Sequence, residues 1–261
     1  MPTCLFGCDA PALTDEHIYS RAWIERMMPL PVGEKLKHTH ERVKGQRPFK
    51  IDGREQFAVE WESAEAGLTV KGVCKACNGG WMDRMDHDTY PHIEPMVAGY
   101  SHTLLVSGQQ QAARWSTKIA ILFDTHLEHP ALTPQLRARF RETGQPFADS
   151  HVWLGRYDLP WGTWKASGSP TTKSENPSAG DTNAYLCTLI INHLIVQVLV
   201  PLGGFDVILY ARTMERAWGG HLRRIWPPLL GAGNVEWPPP RSVRPSEFPG
   251  FAAAEAAPGS R

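Results

Sequence analysis

Four of the five cysteines fall into two close pairs, and they offer the first chemistry in the chain. Cys74 and Cys77 stand with two residues between them in VCKACNGGW, and Cys4 and Cys8 with three in MPTCLFGCDAP. Zinc takes four sulfur ligands near tetrahedral geometry, and two short-spaced pairs deliver that set economically. Where no secretion signal is read, paired thiols suggest a metal more than disulfides. Four thiolates on one zinc contribute on the order of 10 kcal/mol of folding free energy. The alternative is four reduced, partly buried cysteines without a metal. Cys187, in AYLCTLIINHLIVQVLV, sits in an apolar run and reads as a core residue.

A second pattern suits phosphate. Between residues 35 and 54 seven Lys or Arg stand against Glu41 and Asp52, although the whole chain has a formal net charge of zero. A local patch of that sign can hold a phosphate backbone in a neutral protein. Lys35, Lys37, Arg42, Lys44, Arg47 and Lys50 are its candidate contacts. A solvated basic loop has the same composition.

The elements that must position these groups fall into two units. In the first, residues 1–98, the N-terminal cysteine pair forms a knuckle. The stretch SRAWIERMM follows as a short helix with Ser20 as its N-cap. Residues 49–73 hold two or three short strands, with turns at Asp52-Gly53 and Gly67. A helix opening at Asn78 carries Trp81, Met82 and Met85 and is limited by Pro91 and Pro95. A knuckle, strands, and a second cysteine pair where a helix begins is the treble-clef layout. In the second unit, residues 99–240, AARWSTKIAILFDTHLEH is a helix with Trp115, Ile119, Leu122 and Phe123 on its apolar face. Another helix starts after Thr133-Pro134. The runs HVWLGRY, GTWKAS, AYLCTLII, LIVQVLV and FDVILYA read as strands. This predicts antiparallel sheet with one or two helices on a face, so the fold class is α+β. Residues 241–261 read as a Pro- and Ala-rich tail, mobile toward its end.

The totals narrow the class. With 261 residues, 42% of them hydrophobic and 21% charged, this is an ordinary globular chain of one large domain or two modest ones. No apolar run reaches the length of a membrane span. The N-terminus has no basic start followed by an apolar stretch, so a cytoplasmic location is expected by default.

With these elements in place, TDEHIYS becomes informative. Glu16 and His17 follow the first cysteine pair on the expected first strand of a hairpin, and Asn78 follows Cys77 directly. In this order the first 90 or so residues resemble the HNH endonuclease family, whose ββα-metal site is a hairpin followed by a helix. The resemblance implies metal-dependent hydrolysis of phosphodiester bonds in nucleic acid, with double-stranded DNA as the expected partner and no membrane. It implies His17 as general base, with Glu16 and Asn78 at a catalytic Mg²⁺ or Mn²⁺ separate from the structural zinc. The chemistry of the residues agrees. A histidine can take a proton from water near neutral pH, and carboxylate and amide oxygens are hard ligands suited to those ions. Neighbours on a strand point to opposite faces, so the strand must end or bend for Glu16 and His17 both to act. The alternative is a catalytically silent treble-clef module that binds nucleic acid or protein.

Other residues are expected to stand aside. Asp86 lies eight positions after Asn78, about 12 Å along a helix, and is not expected to share an ion with it. Trp81, Met82 and Met85 should pack, and His87, Asp88 and His92 should be solvated. His193 reads as a core or turn histidine.

Overall fold

The computed structural model describes residues 3–11, 14–18, 23, 36–41, 49–51, 54–56, 58–63, 69–125, 130–158, 164–172, 182–203, 207–228 and 233–247. For the strands within 36–63 and 164–172 the backbone alone is described. The chain opens with a tight knuckle. Gly7 N–H donates to the Cys4 carbonyl at 2.9 Å, and Cys4 N–H to the Ala10 carbonyl at 3.2 Å. Gly7 has φ of 69°, and a Cβ there would stand 3.0 Å from Ala138 Cβ, so the turn needs glycine for its backbone and for close approach.

Strand β1 (Thr14–His17) pairs antiparallel with β6 (Thr69–Val73), matching Thr14 to Val73, Glu16 to Val70 and His17 to Thr69. The register slips between Thr14 and Asp15, whose partner is Lys71, leaving Gly72 as the extra residue. Its φ of 119° is tolerated by glycine at such a bulge. The freed Gly72 carbonyl accepts the Leu5 N–H at 2.6 Å, which fastens the knuckle to the hairpin. Between these strands, β2 (Leu36–Glu41) pairs with β5 (Ala58–Ser63), and β3 (Phe49–Ile51) with β4 (Arg54–Gln56). Residues 49–73 thus hold four strands where two or three are expected. Of SRAWIERMM, only Trp23 lies within the described residues.

After β6 the chain makes a π-helical turn, Cys77–Met82, broken at Gly80, and continues as helix α1 (Asp83–Val97). Pro91 and Pro95 do not end this helix; both lie inside it. A proline in a helix interior costs about 3 kcal/mol. The face formed by Met85, Thr89, Ile93, Met96 and Val97 is buried and offsets that cost. Pro91 is itself exposed, so the carbonyl it deprives of a partner can reach water.

Strand β7 (His102–Leu104) leads into α2 (Val106–Asp124), which begins six residues earlier than its apolar pattern suggests. Trp115, Ile119, Leu122 and Phe123 are buried as expected, but so are Ser116, Thr117 and Lys118, because neighbours cover α2 on nearly every side. Helix α3 (Pro134–Thr143) has the expected start: Thr133 Oγ1 accepts the Leu136 N–H at 3.3 Å, and Pro134 takes the first turn. Gly144, with φ of 59°, closes it.

The main sheet has five antiparallel strands in the order β12 (Leu222–Trp226), β8 (His151–Arg156), β11 (Leu194–Pro201), β10 (Thr182–Ile191) and β9 (Trp164–Thr172). Alternation sorts its residues onto two faces. Tyr185, Cys187, Leu189 and Ile191 of β10 join the core beneath α2, while Leu186 and Ile190 join a second core on the other face. Both faces are covered, which explains the near-continuous apolar runs of β10 and β11. His193 sits in the turn between them, its Nδ1 3.4 Å from the Tyr157 carbonyl.

The second face corrects one expectation. FDVILYA is not a strand; from Val207 it forms α4 (Val207–Trp218). Its β-branched and aromatic run does not set the buried face. Ile208 and Leu209 are exposed, whereas Ala211, Met214 and Trp218, at helical spacing, cover the sheet. Strand β13 (Val235–Trp237) pairs with β7, and the chain remains seated as far as Glu247, with Val243 buried and its N–H donated to the Arg156 carbonyl at 2.7 Å.

Antiparallel sheets with helices packed on them make the fold mixed and compatible with α+β. One core is continuous from the knuckle to the sheet: Phe6, Ile18, Val73 and Met82 share it with Trp115, Ile119, Phe140 and Val196. Trp23 joins the two regions, its ring stacked on Trp115 at 5.1 Å and edge-on to Tyr90 at 5.4 Å.

Candidate metal centre and the hairpin site

Cys4, Cys8, Cys74 and Cys77 converge, with their four sulfurs all within 4.8 Å of one another. Cys8 Sγ lies 3.3 Å from Cys74 Sγ and 3.7 Å from Cys77 Sγ, and Cys4 Sγ lies 3.9 Å from Cys77 Sγ. Four sulfurs at about 2.3 Å from a tetrahedral ion stand about 3.8 Å apart, so these separations fit a metal and are far too long for disulfides. Backbone groups orient the sulfurs: Cys74 N–H donates to Cys4 Sγ and Cys77 N–H to Cys74 Sγ, each at 3.4 Å. Burial pushes the Cys4 and Cys77 thiols up. Burial acts the same way on Cys8, but hydrogen bonds from Cys74, Cys4 and Cys77 outweigh it and hold that thiol down at about 7. Crowded sulfurs that cannot all ionise together are what a divalent cation stabilises. This group could hold a metal ion. Cys187 is buried on β10 and is not one of the four.

The hairpin and the helix start meet beside the cysteines. Asn78 Nδ2 donates to Thr14 Oγ1 at 3.2 Å, and Thr14 Oγ1 donates to the Val73 carbonyl at 2.7 Å. Asn78 N–H also donates to the Cys74 carbonyl at 3.0 Å. The residue that ties Asn78 to the Glu16–His17 strand is therefore Thr14, which sequence reasoning passed over. Its signal is only a hydroxyl two positions before the Glu-His pair on the same face of a strand. β1 ends at His17. Glu16 is buried and His17 half-buried, as alternation requires.

Glu16 does not face an empty interior. Burial pushes its carboxyl up to about 7, Lys118 of α2 opposes that shift, and Asp86 and Asp83 of α1 add to it. Lys118 and Asp86 form a buried ion pair, Nζ to Oδ1, with the Lys118 side chain wholly out of solvent. Burial raises the Asp86 carboxyl as well, against the attraction of Lys118. Asp86 is too far along the helix to be read as a partner of Asn78, yet its charge acts on Glu16. Sequence reasoning weighed Asp86 only as a partner of Asn78 and passed over Lys118, because a lysine within a helical pattern reads as its solvated side. Trp81, Met82 and Met85 pack as expected; Trp81 makes edge contacts with Phe6 at 5.1 Å and Phe140 at 5.8 Å.

Of the basic candidates, Lys35, Arg42, Lys44 and Arg47 lie outside the described residues. Lys37 on β2 and Lys50 on β3 have their backbone alone described. Among the described residues no helix is long and apolar enough to cross a membrane. No protein-family model, curated protein or solved structure matches the chain.

Proposed function

We propose that this chain is a metal-dependent endonuclease of the HNH type, with its four clustered cysteines on a structural zinc in a treble-clef frame. The observation that carries this reading is the tether from Asn78 through Thr14 to the strand of Glu16 and His17, directly beside the four sulfurs. An imidazole nitrogen of His17 takes the proton from a water whose oxygen forms the new bond to phosphorus as the bond to the leaving sugar oxygen breaks. The Asn78 amide nitrogen is engaged by Thr14, which leaves Oδ1 as its ligand atom; Glu16 contributes a carboxylate oxygen. Mg²⁺ or Mn²⁺ held there would supply charge neutralisation on the scissile phosphate. Purified protein should nick or cut plasmid DNA with Mg²⁺ and not with a chelator of that ion; no cleavage with any divalent cation would end this reading.

The basic stretch should carry backbone binding to DNA. Replacing Lys44, Arg47 and Lys50 by Gln is expected to weaken binding across sequences. Each lost contact should flatten the slope of log affinity against log salt by about 0.9. Filter binding at several salt concentrations measures this, and an unchanged slope assigns the insertion another task.

A second reading is favoured by the burial of Glu16 and by the buried Asp86–Lys118 pair, which a silent zinc module would also use to brace its frame. In that case DNA or protein binding persists and no divalent cation brings cleavage.

A further inference from the structure

A cavity of about 420 Å³ opens between α4 and the β8–β12 edge of the main sheet, on the face turned away from α2. That volume is typical of a small-molecule site. Alternation along β8, and the pairing of Arg224 with Trp153, direct His151, Trp153 and Arg224 to this face. Helix α4 adds Ile208, Ala211, Arg212 and Glu215, spaced so that they share one side of the helix. Some of these groups are spent on the fold: the Glu215 carboxylate accepts the Trp153 indole N–H at 3.3 Å and pairs with Arg224 Nε at 3.1 Å. Others are not. His151 is 6% exposed, its ring is stacked on Trp153 at 5.4 Å, and its Nδ1 makes no hydrogen bond among the described residues. A buried polar atom in that state calls for a partner from outside the chain. Among the described residues the terminal nitrogens of Arg224 make no hydrogen bond, and the exposed Arg212 guanidinium makes neither a hydrogen bond nor an ion pair. Burial, and next the charge of Arg224, hold the His151 imidazole below the usual histidine range, against Asp149 and Glu215, so it is neutral at pH 7.

The acidic groups here do not make a cation site, since among the described residues the cysteine group is the one set that could hold a metal ion. Two guanidinium groups from different elements and an imidazole nitrogen suit the three oxygens of a phosphoryl group better than the two of a carboxylate. Ile208, Ala211 and Pro227 give the cavity an apolar wall, and Asp149, exposed at its rim, can accept hydroxyl groups. We propose that this cavity binds a nucleoside monophosphate: its phosphate on Arg212, Arg224 and His151, its sugar hydroxyls on Asp149, and its base against Ile208 and Pro227. The site stands apart from the hairpin reading, because none of its residues belongs to the hairpin or to the cysteine group.

Adenosine monophosphate added to the full chain, with binding followed by calorimetry, should bind at least about tenfold more tightly than inorganic phosphate or adenosine, since each lacks one half of the contacts. Arg212→Ala should weaken that binding by about 10–100-fold, the loss expected for a charge-assisted hydrogen bond. Arg216→Ala removes an exposed charge from the same helix outside the cavity and should leave binding unchanged. His151→Phe keeps a ring on Trp153 and should weaken binding by about tenfold. Its Tm should match or exceed the parent's, because the substitution removes the unpartnered nitrogen. A merely structural histidine would show the reverse, a lower Tm with affinity intact, and that result overturns the proposal. So does a parent that binds adenosine monophosphate no more tightly than inorganic phosphate, or not at all at millimolar concentration. Binding that survives both Arg212→Ala and His151→Phe lies elsewhere on the chain and overturns it as well.

Discussion

Cys74→Ser is expected to drop bound zinc well below one equivalent per chain and to unfold the N-terminal unit at room temperature. Cys74 Sγ is 3.3 Å from Cys8 Sγ, accepts the Cys77 N–H, and is almost fully buried. Its loss removes a quarter of the ligand set and leaves three crowded thiols in the interior. A structural zinc contributes on the order of 10 kcal/mol, against a total stability of about 5–15 kcal/mol for a folded domain. The knuckle, hairpin and helix start have few other core positions on which to stand. Since Phe6, Val73 and Met82 share their core with Trp115 and Phe140, the second unit should lose stability too. Elemental analysis and thermal unfolding of the variant measure both effects. Cys187→Ser is the control: it should keep its zinc, because Cys187 lies outside the sulfur group. A Cys74→Ser protein that retains a full equivalent and its parent's Tm would refute the assignment.

The second large effect concerns His17. His17→Ala should reduce cleavage by about 10²–10⁴-fold while zinc content, folding and DNA affinity persist. A general base acts in the transition state and adds little to ground-state binding. Because His17 is half-buried at the last position of β1, truncating it should disturb the core little. Asn78→Ala and Glu16→Gln should differ from it, raising the Mg²⁺ concentration needed and leaving residual activity at saturating metal. Asn78→Ala also frees the Thr14 hydroxyl from the helix start, so circular dichroism and zinc content must accompany the rates. The pattern among the three variants discriminates, since misfolding would lower all of them alike. A well-folded His17→Ala that cuts as fast as the parent would return the chain to the silent module.

Some of this was legible in the residues alone, and the reason is locality. The Cys74–Cys77 spacing fixes two sulfurs within one turn whatever lies around them, and the first pair has no other near candidates to join. Thr133-Pro134 at the start of α3 acts through its own backbone bonds, so that start held in the fold. Alternation along β1 made Glu16 and His17 face apart before any neighbour was known. Where tertiary contacts outweigh local preference, the sequence misled. Pro91 and Pro95 should stop a helix, but α1 runs through them because its opposite face is buried. FDVILYA has strand propensity, but α4 forms because the residues beyond it, Met214 and Trp218, cover the sheet at helical spacing. A lysine is almost always solvated, but α2 is enclosed on nearly all sides and the Lys118 ammonium meets Asp86 from a helix that ends nine residues before α2 begins. Spacing in sequence thus determined the cysteine set and the order of the hairpin residues. Which charges surround Glu16 was decided by the packing of α1 against α2, because the energy of a buried carboxylate depends on neighbours in space that no periodicity records.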